Sequence, residues 1–167
     1  MRKMTEQNLR AAFAGESQAH MKYLIFAGKA EKEGNRNVGR LFRAIAFAEQ
    51  VHATNHLKAL GEVGSTTENL QTAINGETYE VDEMYPVFYE TAKFQEEKLA
   101  QRSTNWALEA EKIHAAMYSR AKQSLEEGKD LSPVSIYICD VCGYTVEGTA
   151  PDKCPLCNAS MDRFVKF

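Results

Sequence analysis

Ala48-Glu49-Gln50-Val51-His52 and Ala110-Glu111-Lys112-Ile113-His114 are the two stretches that decide how this chain is read. Each is a Glu-x-x-His. On a helix, residues three apart share a face, so each pair can offer a carboxylate oxygen and an imidazole nitrogen to one metal ion. One such motif is ordinary on a solvated helix. Here Phe47, Ala48 and Val51 surround the first, and Ala107, Leu108, Ile113 and Ala116 surround the second, so both are expected to face inward. A buried, unpaired carboxylate is costly, and a bound metal removes the cost.

Outward from these motifs, residues 5 to about 127 carry helical periodicity. Leu9, Ala12, Phe13, Glu16, His20, Tyr23, Leu24 and Ala27 form one stripe, ended by Gly34-Asn35. Leu41, Phe42, Ile45, Ala48, Glu49, His52, Asn55, His56 and Leu60 form a second, ended by Gly61 and Gly64. Glu62 to Thr78 reads as a long connection holding at most a short helix near Glu68–Ile74, and a third helix opens near Tyr79 with Pro86 in its first turn. Glu16 stands mid-stripe, where a glutamate needs an explanation, and Glu80 and Glu83 add carboxylates at helical spacing. Ferritin-like di-iron bundles take one Glu from each of two helices and a Glu-x-x-His from each of the other two. This chain supplies that set in order: Glu16, Glu49 with His52, Glu80 or Glu83, and Glu111 with His114.

The ligand set also locates a turn that has no breaker residue. Val87 to Glu127 contains neither glycine nor proline. In one continuous helix, Glu83 and Glu111 would lie about 42 Å apart, from 28 residues at 1.5 Å each. For both to reach one site the chain must reverse near Gln95-Glu96-Glu97-Lys98. His20 and His56, each four residues past a proposed ligand, are expected to hydrogen-bond ligating carboxylates. Tyr23, seven residues past Glu16, either hydrogen-bonds near the metals or packs in the core.

After Gly128 the composition changes, and all four cysteines follow, at Cys139, Cys142, Cys154 and Cys157. Two Cys-x-x-Cys knuckles present four thiolates tetrahedrally, a set that suits iron or zinc. Gly143, Pro155, Tyr137 and Tyr144 around the pairs favour iron and resemble rubredoxin. Such a tail is too short to fold on apolar burial alone. The expected architecture is an all-α, ferritin-like four-helix bundle over residues 1–131, followed by a small metal-built β domain over 132–167.

Composition removes other classes. Hydrophobic residues are 44%, charged residues 26% and the net charge −3, so there is no basic excess for nucleic acid. No apolar run approaches the ~20 residues of a membrane span. The N-terminus shows no secretory signal, so the cytoplasm is the expected compartment.

The whole chain resembles the rubrerythrins, through Ala-Gly-Glu16-Ser-Gln-Ala-His, Ala-Glu49-Gln-Val-His52-Ala, Gly76-Glu-Thr-Tyr-Glu80-Val-Asp-Glu83-Met-Tyr-Pro86, Ala-Leu-Glu-Ala-Glu111-Lys-Ile-His114 and the rubredoxin-like tail. The resemblance implies iron ligands at Glu16, Glu49, Glu80, Glu83, Glu111 and His114, with His52 exchanging with a carboxylate as the iron changes oxidation state. Glu77 competes with Glu80 and Glu83 for the two positions on the third helix. It also implies reduction of hydrogen peroxide to water, with electrons delivered through the Cys139/Cys142/Cys154/Cys157 iron. No nicotinamide or flavin motif is present, so an external donor is expected, such as a rubredoxin or an NAD(P)H-dependent reductase. The tail follows a helix whose far end lies about 20 Å beyond His114. A head-to-tail homodimer is therefore expected, with each cysteine iron near the other subunit's di-iron site. Domain swapping about the Glu62–Thr78 connection would also supply ligands in trans. The competing readings are a ferroxidase or iron-handling protein, and a zinc-ribbon adaptor that would leave the inward carboxylates unexplained.

Overall fold

The computed structural model describes all residues, 1–167. The chain divides into two compact units, Met1–Gly64 and Ser65–Phe167.

The first unit is a helical hairpin of α1 (Lys3–Lys32) and α2 (Arg36–Leu60). Gly34, at φ 85°, makes the turn. Small residues let the helices approach: Ala27, Ala30, Gly39, Ala46 and Ala53 are buried along the seam. A Cβ on Gly39 would lie 2.7 Å from the Glu31 side chain and 3.2 Å from the Ala27 carbonyl oxygen, so a larger residue there would displace Glu31. Arg43 closes this end with two bonds to Glu31, both 2.8 Å. The large apolar side chains Ile25, Leu41, Phe47 and Val51 stay exposed.

The second unit opens with α3 (Thr66–Tyr79), started by a capping box in which Ser65 and Glu68 each bond the other's backbone N–H. The long connection expected over Glu62–Thr78 is therefore only residues 61–65. The capping box begins the helix early, and Gly76 does not break it. A π-helical turn, Glu80–Met84, joins α3 to α4 (Tyr85–Phe94), so the three segments run as one long helix. The helix expected to open near Tyr79 thus begins at Thr66, and only a change of register falls at Glu80–Met84, with Pro86 in the first turn of α4. The reversal falls at residues 95–97, where it was expected, with Glu96 left-handed at φ 58°. Then comes α5 (Lys98–Glu126). Counted this way the protein has four long helices.

After α5, β1 (Ile136–Cys139), β2 (Thr145–Glu147) and β3 (Phe164–Lys166) form an antiparallel sheet in the order β2-β1-β3. No helix is long and apolar enough to cross a membrane.

Candidate metal centres

In the hairpin unit, Glu16 and His52 stand eighteen residues before and after Gly34, so the turn brings them level. Glu16, Glu49 and His52 offer ligand atoms that all lie within 4.8 Å of one another. His52 Nδ1 is 2.9 Å from Glu49 Oε2, and that is the only hydrogen bond of the ring. His20 does not serve a carboxylate as expected: its Nδ1 is 2.8 Å from the Ala46 carbonyl, which ties α1 to α2. Tyr23 takes the packing alternative, with its ring 6.0 Å from Phe42 and 6.4 Å from Phe26. His56 is half-buried and makes no hydrogen bond.

The second unit repeats the arrangement. Glu77, Glu111 and His114 place ligand atoms within 4.8 Å of one another, and His114 Nδ1 is 2.5 Å from Glu111 Oε2. Glu77 rather than Glu83 joins α5 here. In a π turn, bonded i→i+5, residues three apart no longer share a face, so Glu83 is rotated away and exposed. Glu80 stays on the inner face. Burial first, then the Glu111 charge, raise its carboxyl above the usual range, while His114 opposes the rise. Burial, a hydrogen bond with Glu111 and the charges of Glu111 and Glu80 push Glu77 up to about 8. Carboxylates held this unfavourably are what a bound cation relieves, and hard oxygens with one imidazole suit iron.

The π turn also recruits a residue that sequence periodicity did not offer. The Tyr85 N–H bonds the Glu80 carbonyl, which stacks Tyr85 over Glu80. Burial and the charges of Glu80, Glu111 and Glu77 raise its phenol above the ordinary value.

The cysteines form two equivalent knuckles. Gly143 N–H donates to Cys139 O, and Asn158 N–H to Cys154 O, with Gly143 and Asn158 both left-handed. All four cysteines are free, with Sγ–Sγ separations of 3.6 Å for Cys139–Cys157 and 3.5 Å for Cys142–Cys154. Those spacings are far beyond a disulfide but match a tetrahedron of metal–sulfur bonds near ~2.3 Å. Burial raises the Cys142 and Cys157 thiols. For Cys154 burial acts the same way, but backbone N–H groups of Cys157 and Leu156 and the neighbouring thiols outweigh it and lower the thiol. A resident cation would hold all four as thiolates.

The β domain packs on α5 of its own chain. The chain doubles back after residue 127 rather than extending beyond α5. The Thr145 hydroxyl reaches His114 Nε2 at 2.8 Å, and Arg120 pairs with Glu147 at 2.5 Å. Thr145 carried no signal in the sequence, being one threonine in a short strand.

Comparison with known proteins agrees with this inventory. The rubrerythrin family model matches residues 7–122, and that of the rubrerythrin rubredoxin-like domain matches 137–165. Rubrerythrin-2 of Clostridium acetobutylicum is 47% identical over 98% of this chain and 97% of its own. Nigerythrin of Nitratidesulfovibrio vulgaris is 33% identical over 98% of this chain and 86% of its own. A solved structure of fully reduced, all-ferrous nigerythrin aligns over 98% of this chain and 86% of its own, with TM-score 0.57 and 32% identity. The donors are those of a di-iron carboxylate–histidine centre (Glu16, Glu49, His52, Glu77, Glu111, His114) and of a four-cysteine iron. The chain belongs to the rubrerythrins, a family of oxidoreductases.

Proposed function

We propose that this protein reduces hydrogen peroxide to water, H2O2 + 2 e⁻ + 2 H⁺ → 2 H2O, in the cytoplasm. The observation that carries the reading is the seating of the four-cysteine domain on α5, with Thr145 against His114. A ferroxidase has no use for a one-electron carrier docked on a ligand of its di-iron centre. When bound, two ferrous ions supply the two electrons and act as Lewis acids toward the peroxide oxygens. Glu16, Glu49, Glu77, Glu80, Glu111 and His114 would hold them, with His52 as the exchangeable ligand. Glu83 is left out because it lies exposed. Tyr85 keeps its phenolic proton, owing to burial and three neighbouring carboxylates, and can donate a hydrogen bond to a departing oxygen. Residues 1–131 would form the peroxide-reducing part and 132–167 the electron-entry part. An external donor, a rubredoxin or an NAD(P)H-dependent reductase, would reduce the cysteine iron at its less buried side, Cys142 and Cys157.

The six donors fall in two units, and chain length argues that a homodimer joins them. Glu49 lies 11 residues before the end of α2, and Glu77 lies 11 residues after the start of α3. Ferritin-like topology has a long crossover that makes these two helices parallel. Returning to the same site would then require about 33 Å, from two stretches of 11 residues at 1.5 Å each. Residues 61–65 reach about 20 Å at most. The hairpin of one chain would therefore complete the centre of its partner.

The test is the visible spectrum of air-oxidised protein, taken through reductant and then peroxide. Thiolate-to-iron absorption that bleaches with reductant and returns with peroxide, faster than with dioxygen, is the expected result. Zinc in the cysteines and no colour change would sink the reading, and faster return with dioxygen would restore the ferroxidase.

A further inference from the structure

The two hydrogen bonds of the Thr145 hydroxyl allow one arrangement of protons. The Gly143 carbonyl, 3.0 Å away, can only accept, so the single hydroxyl proton points there. His114 Nε2, 2.8 Å from the same oxygen, must then donate to it. The ring is thereby held with its proton on Nε2. In the neutral ring Nδ1 is then a lone pair, 2.5 Å from Glu111 Oε2. A cation shared between the two groups, a metal ion or a proton, is what allows so close an approach. The bond is also shielded, since Thr145 is 3% exposed and is the one polar residue of the chain that is fully buried. Strand pairing does not need its hydroxyl, because Thr145 meets Ile138 through the backbone.

We propose that Thr145 is a positioning residue for the metal centre: its hydroxyl selects the His114 tautomer that offers Nδ1 to iron, and fastens the cysteine knuckle to that ligand. The first knuckle is reached at once, because Gly143 is covalently joined to Cys142. Two hydrogen bonds and one backbone residue thus connect the imidazole with a thiolate. This second role rests on the peroxide-reducing function proposed above. In each transfer one electron leaves the ferrous cysteine iron and one arrives at the oxidised di-iron pair, twice per peroxide, with an external reductase restoring the cysteine iron. Thr145 exchanges neither bond nor proton.

The experiment compares wild type, Thr145→Val and Thr145→Ser in the full chain. Valine keeps the shape without the hydroxyl, and serine keeps the hydroxyl. In zinc-loaded protein labelled with 15N-histidine, the His114 Nε2–H should exchange slowly with solvent in wild type and Thr145→Ser. It should exchange at least tenfold faster in Thr145→Val. In iron-loaded, reduced protein mixed with peroxide, reoxidation of the cysteine iron should slow at least tenfold in Thr145→Val and stay within twofold in Thr145→Ser. Unchanged absorption of the oxidised cysteine iron in all three would show that the knuckle itself is intact. Thr145→Val within twofold of wild type on both measurements overturns the proposal, as does equal impairment of both variants. If wild-type cysteine iron is not reoxidised by peroxide, the peroxide reading fails, and the exchange measurement alone decides the role of Thr145.

Discussion

The two halves of the ligand set are built alike and anchored differently. In each, a Glu-x-x-His places Nδ1 against a carboxylate oxygen, with a further glutamate from a neighbouring helix. His114 is then held from behind by Thr145, whereas His52, with more than half of its side chain exposed, has only Glu49. A ligand held on both nitrogens keeps its orientation, and a ligand held on one can swing. Under the proposed function, this difference would put movement during turnover in the hairpin half and rigidity in the half that carries the cysteine domain.

The sharpest way to break this comparison tests whether the halves come from different chains. One variant carries Glu16→Ala and Glu49→Ala, and the other Glu77→Ala and Glu111→Ala. Unfolded together and refolded with iron, they should regain one working centre per mixed dimer, against essentially none for either alone. A mixture as inactive as its components would place all donors in one chain. Next in size is the contrast between the histidines. His114→Ala should weaken metal binding by at least on the order of 100-fold and His52→Ala by no more than about tenfold, read by equilibrium dialysis. Equal losses would remove the asymmetry. Within the third helix, Glu77→Gln should lower metal occupancy severalfold, while Glu83→Gln should leave it within about twofold.

A smaller effect follows from the Glu77 carboxyl. Its value of about 8 in the metal-free protein lies above the ordinary 4.5 of the unfolded chain, so the folded state retains a proton that the unfolded state releases. Stability from this group is complete below about pH 4.5 and is lost as pH rises toward 8. Metal-free wild type should therefore lose on the order of 1–2 kcal/mol relative to Glu77→Gln across that window, the half-exposed side chain limiting the size. Urea melts at several pH values would read it, and the slope should vanish once metal is bound.

The repeated Glu-x-x-His and the paired Cys-x-x-Cys were legible because their chemistry fixes a spacing. The reversal at residues 95–97 was legible only through them, because Gln95-Glu96-Glu97 contains no breaker and Glu96 adopts its left-handed angle against its propensity. Ser65-Thr66-Thr67-Glu68 did spell a helix start. Two nearby glycines hid it by suggesting a loop. The π turn left no trace, since a single i→i+5 register shift has no compositional mark, and it misdirected the choice toward Glu83 over Glu77. Tyr85 and Thr145 were hidden too: the π register places the first over Glu80 and a tertiary contact places the second against His114, and periodicity encodes neither.

The fully buried apolar residues of this chain are alanines and cysteines, while Ile25, Leu41, Phe47, Val87 and Phe88 remain at the surface. In the proposed homodimer, a chain with so little enclosed apolar volume would gain most of its cohesion from its partner. Its refolding should therefore be second order, and its melting temperature should climb with protein concentration. Dilution alone would then shed metal, so the amount of this protein in a cell sets how much of it can work.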